Sequence, residues 1–172
     1  MVEQIIIIGA GQAGLSTAYY LKRNGLNPLI LDANPTPGGA WTQGWDSLML
    51  FSPKEYSSLS GLMMPNTELE YPSRNEIINY LSRYEKHYDF RVERPVQVQN
   101  VEKKDGLFYI TTDTGVYQSH ALVSATGNFS GASTPYFEGI ELFKGEQIHS
   151  SEYQNNKPFE QQNVAVIGSG NS

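Results

Sequence analysis

Cysteine is absent from the 172 residues, which excludes structural disulfides and thiolate metal sites within them. Long apolar runs are missing too. None exceeds four residues, as in Ile5–Ile8, far short of the roughly 20 residues a membrane-spanning helix needs. The N-terminus lacks a basic region followed by an apolar core, so it does not read as a secretory signal, and the cytoplasm is the expected location. Positive charge is scarce: 12 Lys and Arg stand against 18 Asp and Glu, for a net charge of −6 and a pI near 5.0. Such a balance has no general attraction for phosphate backbones, so nucleic acid is not an expected partner. Nor is a membrane. No His or carboxylate stands at metal-ligand spacing from His149, and no metal site is expected.

What remains is an ordinary globular composition, 39% hydrophobic and 17% charged, which argues against disorder. Val2 to Ile8 is a β-branched run that ends at Gly9 and reads as a buried parallel strand. Gln12 to Asn24 carries Ala13, Leu15, Ala18, Tyr19 and Leu21 at helical spacing, with Gly25 just past the end, where a helix C-cap favours glycine. Leu29, Ile30 and Leu31 form a second strand ending at Asp32. Strand, helix and strand in about thirty residues make a parallel βαβ unit.

From Ala33 to Pro72 the periodicity is lost, and five of the nine prolines fall here. The aromatic and Met content (Trp41, Trp45, Met49, Phe51, Met63, Met64) predicts an ordered segment that covers a ligand. Ser73 and Glu76 form a capping box for a helix reaching about His87, with Ile77, Leu81, Tyr84 and Tyr88 on its apolar face. Short alternating runs at Val96 to Val98, Phe108 to Ile110 and from Val116, separated by Asp105-Gly106 and Thr114-Gly115, predict a small antiparallel meander. Ala121 to Ala125 returns as a buried strand, and Asn163 to Ile167 is expected as another, leading into Gly168-Ser169-Gly170.

Gly9-Ala10-Gly11-Gln12-Ala13-Gly14 is G-x-G-x-x-G between a strand and a helix. The first glycine permits the tight turn and the second lets a pyrophosphate approach the backbone. The third lets helix and strand pack closely. Free N–H groups and the positive end of the helix dipole then suit a diphosphate. Asp32 stands about 20 residues on, where a carboxylate accepts from ribose hydroxyls. This pattern alone leaves NAD and FAD open.

Three further stretches carry a family resemblance. Pro37-Gly38-Gly39-Ala40-Trp41 resembles the Gly-Gly-x-Trp segment of flavin-containing monooxygenases and the related Baeyer–Villiger enzymes. Ala125-Thr126-Gly127 is similar to a segment that touches FAD in two-dinucleotide-domain flavoproteins. Phe143-Lys144-Gly145-Glu146-Gln147-Ile148-His149-Ser150-Ser151-Glu152-Tyr153 matches F-x-G-x-x-x-H-x-x-x-Y, the identifying motif of flavin-containing monooxygenases, and Tyr153 in the last place favours that group over the Baeyer–Villiger enzymes. Gly168-Ser169-Gly170 looks like the start of a second glycine motif.

The resemblance implies an α/β fold. It would comprise a Rossmann-like FAD-binding domain over residues 1–162, with a parallel sheet and a small antiparallel β-meander. The opening of a second, NAD(P)H-binding Rossmann domain would follow over residues 163–172. It implies FAD as cofactor, NAD(P)H as hydride donor, and O2 with a small-molecule substrate as partners. The implied reaction is oxygenation of a soft nucleophile, a sulfide or an amine, through a C4a-peroxyflavin. The expected cofactor-binding residues are Gly9, Gly11, Gln12, Ala13, Gly14, Asp32, Ala33, Gly39, Trp41, Met49, Val98, Ala125, Thr126, Gly127, Gly168 and Gly170. Because the flavin carries the chemistry, no side chain is expected as a catalytic acid or base, and His149 is given a conformational role. These residues alone are not expected to turn over NAD(P)H, and weak retention of FAD is expected of them. One departure stands out: Leu50 to Lys54 lacks the family's Asn, and Phe51 occupies its place, which implies partial NAD(P)H oxidase behaviour. Two alternatives stay open. A disulfide reductase of the thioredoxin-reductase kind would carry its cysteine pair in the second domain, although the Phe143 to Tyr153 motif speaks against it. The other is a non-catalytic flavin-binding module.

Overall fold

The computed structural model describes residues 1–66, 69–129 and 131–168. Six strands form one sheet, with residues 91–93, 29–31, 2–8, 116–124, 107–112 and 98–104 as successive neighbours across it. β1 (Val2–Ile8) lies at its centre, parallel to β2 (Leu29–Leu31) on one side and to β6 (Val116–Ser124) on the other. β3 (Arg91–Glu93) extends the parallel half beyond β2. β4 (Val98–Lys104) and β5 (Leu107–Thr112) complete the antiparallel half against β6. The mixed α/β architecture expected from the sequence is present.

Side chains of a strand alternate between faces, and this divides the core. Ile7 and Ile30 pack with Ala10 of the glycine turn, with Leu15 and Ala18 of α1 (Gln12–Arg23), and with Ile77, Tyr80, Leu81 and Tyr84 of α2 (Arg74–His87). Their neighbours Ile6, Leu29 and Leu31 point the other way, into a second cluster with Val96 and Ile110. Each fully buried Ile or Leu contributes roughly 1.5–3 kcal/mol. The quadruple isoleucine run of β1 therefore serves both faces.

α2 begins as its capping box dictates. The Ser73 hydroxyl accepts from the Glu76 N–H, and the Glu76 carboxylate accepts from the Ser73 N–H at 2.8 Å. The irregular stretch after β2 is ordered by borrowed hydrogen bonds. The Tyr80 hydroxyl accepts from the Leu59 N–H and donates to the Leu62 carbonyl, both at 2.7 Å, while the Tyr84 hydroxyl donates to the Ser60 carbonyl at 2.6 Å. Two buried phenols of one helix thus pin a loop without regular structure of its own.

The structure corrects three sequence expectations. The third meander strand and the strand at Ala121 are one element, β6, whose first half pairs with β5 while most of its length runs along β1. No pattern announced β3, because a three-residue strand is too short to show a period. Asn163 to Ile167 is not a strand among the described residues: Val164, Val166 and Ile167 are exposed, and a strand requires a neighbour for its N–H and C=O groups. Gly170 lies outside the described residues.

Ser119 of β6 is fully buried, and its hydroxyl has no hydrogen-bond partner among the described residues. Ser119→Ala removes a desolvated, unsatisfied group at almost no change in volume. We expect it to stabilise the chain by about 1 kcal/mol in urea unfolding; a loss of stability would show that the hydroxyl is satisfied after all.

Candidate cofactor site

Three chain segments converge at the carboxyl end of β1. Gly9 follows the strand directly, donating its N–H to the Leu31 carbonyl at 2.8 Å. A Cβ on Gly9 would stand 2.4 Å from the Ala125 carbonyl oxygen, and one on Gly14 would stand 1.9 Å from the Gly9 carbonyl oxygen. Gly39 has φ +58, and its Cβ would lie 2.8 Å from the Gly11 Cα. Side chains would force these segments apart. Gly11 is the exception: nothing described lies within 4 Å of a Cβ built there, so that position faces open space.

α1 starts at this turn with a bare end. Gly11 supplies no side-chain cap, and the first turn holds no acidic residue. The first N–H groups of a helix have no intrahelical acceptor. The uncapped N–H groups around Gln12, Ala13 and Gly14 therefore favour an anion over the open side of Gly11.

The Gly-Gly-x-Trp segment forms a short 3-10 turn, Gly39–Gln43. The Trp41 indole N–H donates to the Gln12 side chain at 3.2 Å, tying this turn to α1. Arg74 of α2 holds it from behind, donating to the Trp41 and Thr42 carbonyls, each at 2.9 Å. Sequence reasoning missed Arg74, whose carbonyl partners Trp41 and Thr42 lie more than thirty residues away. Met49 bridges to Ser73, just ahead of α2. Asp46 accepts from Asn155 at 3.1 Å, and its N–H donates to the Gln154 carbonyl at 2.9 Å. The chain just after the Phe143 to Tyr153 motif thereby rests against the Gly-Gly-x-Trp region.

Asp32 is buried at the end of β2. Its Oδ2 accepts from Arg94 Nε at 3.3 Å and Nη2 at 3.2 Å, and its Oδ1 accepts from the Asn34 side chain at 3.2 Å. Arg94 also forms a two-pronged pair with Glu85 of α2, at 2.7 and 2.8 Å. Burial alone would push the Arg94 pKa down, but hydrogen bonds and charge from Glu85 and Asp32 outweigh it and hold the guanidinium more firmly protonated. Neither Arg94 nor Glu85 was legible as a site residue, because Arg94 and Asp32 stand 62 positions apart. Ala33 follows Asp32 directly.

Val98 begins β4 and packs on the second core cluster, on the far side of the sheet from α1. Ala125 continues β6 toward the glycine turn, donating its N–H to the Ile8 carbonyl at 2.8 Å, and Thr126 and Gly127 follow. A cleft of about 180 Å³ opens beside them, lined by Trp45, Asn128, Phe129 and His149. His149 is engaged locally: its Nδ1 meets the Ser151 hydroxyl at 2.9 Å, and its N–H donates to Glu152 at 3.1 Å. The last site residue described, Gly168, is remote from this convergence in sequence and lies in the unpaired 163–168 stretch. Among the described residues no His, Asp and Glu gather as a metal-binding group, and no helix is long and apolar enough to cross a membrane.

Fold and site together define a Rossmann-type α/β domain with a glycine-lined, anion-ready turn at the end of its first strand. The chain belongs to the pyridine nucleotide-disulphide oxidoreductase family, whose model matches residues 6–172. It is 40% identical over 167 residues to the uncharacterized oxidoreductase CzcO of Bacillus subtilis (strain 168), covering 97% of this chain and 48% of that protein. It superposes with a TM-score of 0.89 on a flavin-containing monooxygenase from Stenotrophomonas maltophilia, at 42% identity, covering 94% of this chain and 49% of that one. OTEMO, in a crystal structure of its complex with FAD and NADP, is similar at 28% identity and a TM-score of 0.70, over 91% of this chain and 31% of that one. The resemblance to flavin monooxygenases expected from the motifs is thus present across nearly the whole chain. The chain spans about half the length of the curated relatives it matches.

Proposed function

We propose that this chain holds FAD as part of an NAD(P)H-using monooxygenase that oxygenates a soft nucleophile such as a sulfide or an amine. The observation that carries the reading is the uncapped α1 terminus at Gly11, open on one side and closed on the other by Gly39. A diphosphate fits that cradle, because its charge meets unpaired N–H groups and no side chain intrudes. Gly9, Gly11, Gln12, Ala13 and Gly14 would hold the diphosphate, and Asp32 with Ala33 the adenosine ribose. Gly39, Trp41, Ala125, Thr126 and Gly127 would lie along the flavin, with Met49 and Val98 as further contacts. When bound, the flavin supplies the hydride acceptance and oxygen chemistry; the protein's part is to bind, orient and exclude water. Residues 163–172, with Gly168 and Gly170, would open a second unit for the hydride donor.

The test is an absorbance spectrum of the chain purified from a flavin-sufficient host, followed by release and identification of the cofactor. Released FAD supports the reading. A folded, colourless chain that also fails to take up added FAD would defeat it.

A specific observation favours NAD(P)H oxidase behaviour as a second reading. Leu50 to Lys54 offers no side-chain amide, and Phe51 is exposed there. In a protein of the relatives' full length, H2O2 released would then approach NAD(P)H consumed; tight coupling to a sulfide substrate would reject this second reading.

A further inference from the structure

The carboxylate at the end of β2 does not stand by itself. Asp32 and Glu85 share one guanidinium, and the sharing is uneven. Arg94 reaches Glu85 at 2.7 and 2.8 Å but Asp32 only at 3.2 and 3.3 Å. Glu85 is therefore the anchor that fixes the guanidinium plane, and Asp32 is steered by its edge. The longer bonds leave the Asp32 oxygens with acceptor strength to spare. The backbone is clamped from the same segment: the Asp32 N–H donates to the Glu93 carbonyl at 3.0 Å, and the Asp32 carbonyl accepts from the Val96 N–H at 2.8 Å. All three side chains are largely shielded, with relative exposures of 4% for Asp32, 13% for Arg94 and 15% for Glu85. Asn34 reaches only the other Asp32 oxygen, its backbone and side-chain N–H groups donating to Oδ1 at 3.4 and 3.2 Å. In this dry setting Oδ2 without Arg94 would lose its charge-assisted partners, and the carboxylate plane would no longer be fixed.

We propose that Arg94, held by Glu85, is the positioning residue that aims the Asp32 carboxylate at the adenosine 2′-hydroxyl and so sets the preference of this site for a ribose over a deoxyribose. This rests on the FAD reading above. Arg94 itself does not touch the hydroxyl; it acts through Asp32. Arg94 reaches Glu85 through Nη1 and Nη2 and Asp32 through Nε and Nη2; the single nitrogen of a lysine carries the charge but cannot reproduce this fixed two-sided fork.

The test measures binding of FAD and of its 2′-deoxyadenosyl analogue to the 172-residue chain, by flavin fluorescence quenching, alongside circular dichroism melts. The wild-type chain is expected to bind FAD about tenfold more tightly than the analogue, the usual size of one hydrogen bond to a charged group. Arg94→Met should bind FAD about tenfold more weakly, bind the analogue almost unchanged, and lose the preference. Arg94→Lys keeps the charge beside Asp32 and decides the matter if the Met variant does not fold; it too should show little preference. If either folded variant weakens both ligands equally and keeps the tenfold preference, Arg94 is merely structural and the proposal fails while the flavin reading stands. A wild-type chain that takes up neither ligand overturns the flavin reading, and this proposal with it.

Discussion

Replacing Gly14 by valine is expected to disrupt the first turn of α1 and leave the chain without flavin. Even a bare Cβ at this position would stand 1.9 Å from the Gly9 carbonyl oxygen. Both partners are backbone, one in the strand-to-helix turn and one in the helix, so no side-chain rotation relieves the overlap. Helix and strand must separate, which breaks the contacts of Leu15 and Ala18 with Ile7 in the first core cluster. A cost of about 3 kcal/mol or more is expected. Thermal melts would check it, and a variant melting within a degree of wild type would contradict the packing argument. Gly11→Ala is the informative companion. Its backbone is extended, with φ −79, and the added methyl meets nothing within 4 Å. The apo fold should lose no more than about 1 kcal/mol, the difference between glycine and alanine at an N-cap. FAD binding should nevertheless fall by at least about tenfold, because the methyl enters the space assigned to the diphosphate. The pair separates a glycine needed by the fold from one needed by the ligand.

Tyr84→Ala is expected to be the most damaging core substitution. Tyr84 is fully buried, its ring lies within 6.3 Å of those of Tyr19, Tyr80, Tyr88 and Phe90, and its hydroxyl holds the Ser60 carbonyl. Truncating a buried aromatic costs about 3–5 kcal/mol, which for a chain of this size lowers the midpoint by roughly 10 °C. Limited proteolysis should then cut near residues 59–62, since that loop loses its anchor. Tyr84→Phe isolates the hydroxyl, at about 1 kcal/mol. The same residue makes stability depend on alkaline pH. Burial, and then the neighbouring tyrosines, push the Tyr84 phenol well above its ordinary value of 10.0, and burial raises Tyr80 as well. The folded state thus keeps protons that the unfolded chain gives up. The stabilisation is whole below pH 10, falls as pH rises above 10 toward the folded-state values, and leaves neutral pH unaffected. Urea midpoints measured from pH 8 to 11 should decline more shallowly for Tyr84→Phe; equal slopes would sink the assignment.

The degree to which the candidate site could be read in advance differs by residue. Gly9, Gly11, Gly14 and Asp32 were legible because the chemistry of a strand-turn-helix requires them at fixed local spacing. Gly39 and Trp41 were legible through their likeness to a family segment, and the structure places Gly39 directly on Gly11. Arg94, Glu85 and Arg74 were not legible. Each is an ordinary surface-type residue by composition, and its role depends on partners brought together only by folding. The reverse error occurred at Val164 and Val166, where a β-branched run suggested a buried strand but the residues are exposed and pair with no strand among the described residues.

The sequence by itself determined what depends on neighbours a few positions away. It set the isoleucine run of β1, the capping box at Ser73 and Glu76, the glycine turn into α1, and the glycines at Gly25 and Gly106 where the chain reverses. Local sterics and periodicity decide such features within one or two turns of chain. Tertiary structure decided what depends on distant segments meeting. It fused the meander and the returning strand into β6, added β3 beside β2, ordered the loop at residues 59–62 with two phenol hydroxyls, and gave Asp32 a shared guanidinium. The physical reason is that a buried polar or charged group must find a partner wherever the chain brings one. Nothing in the local pattern states which distant residue that will be.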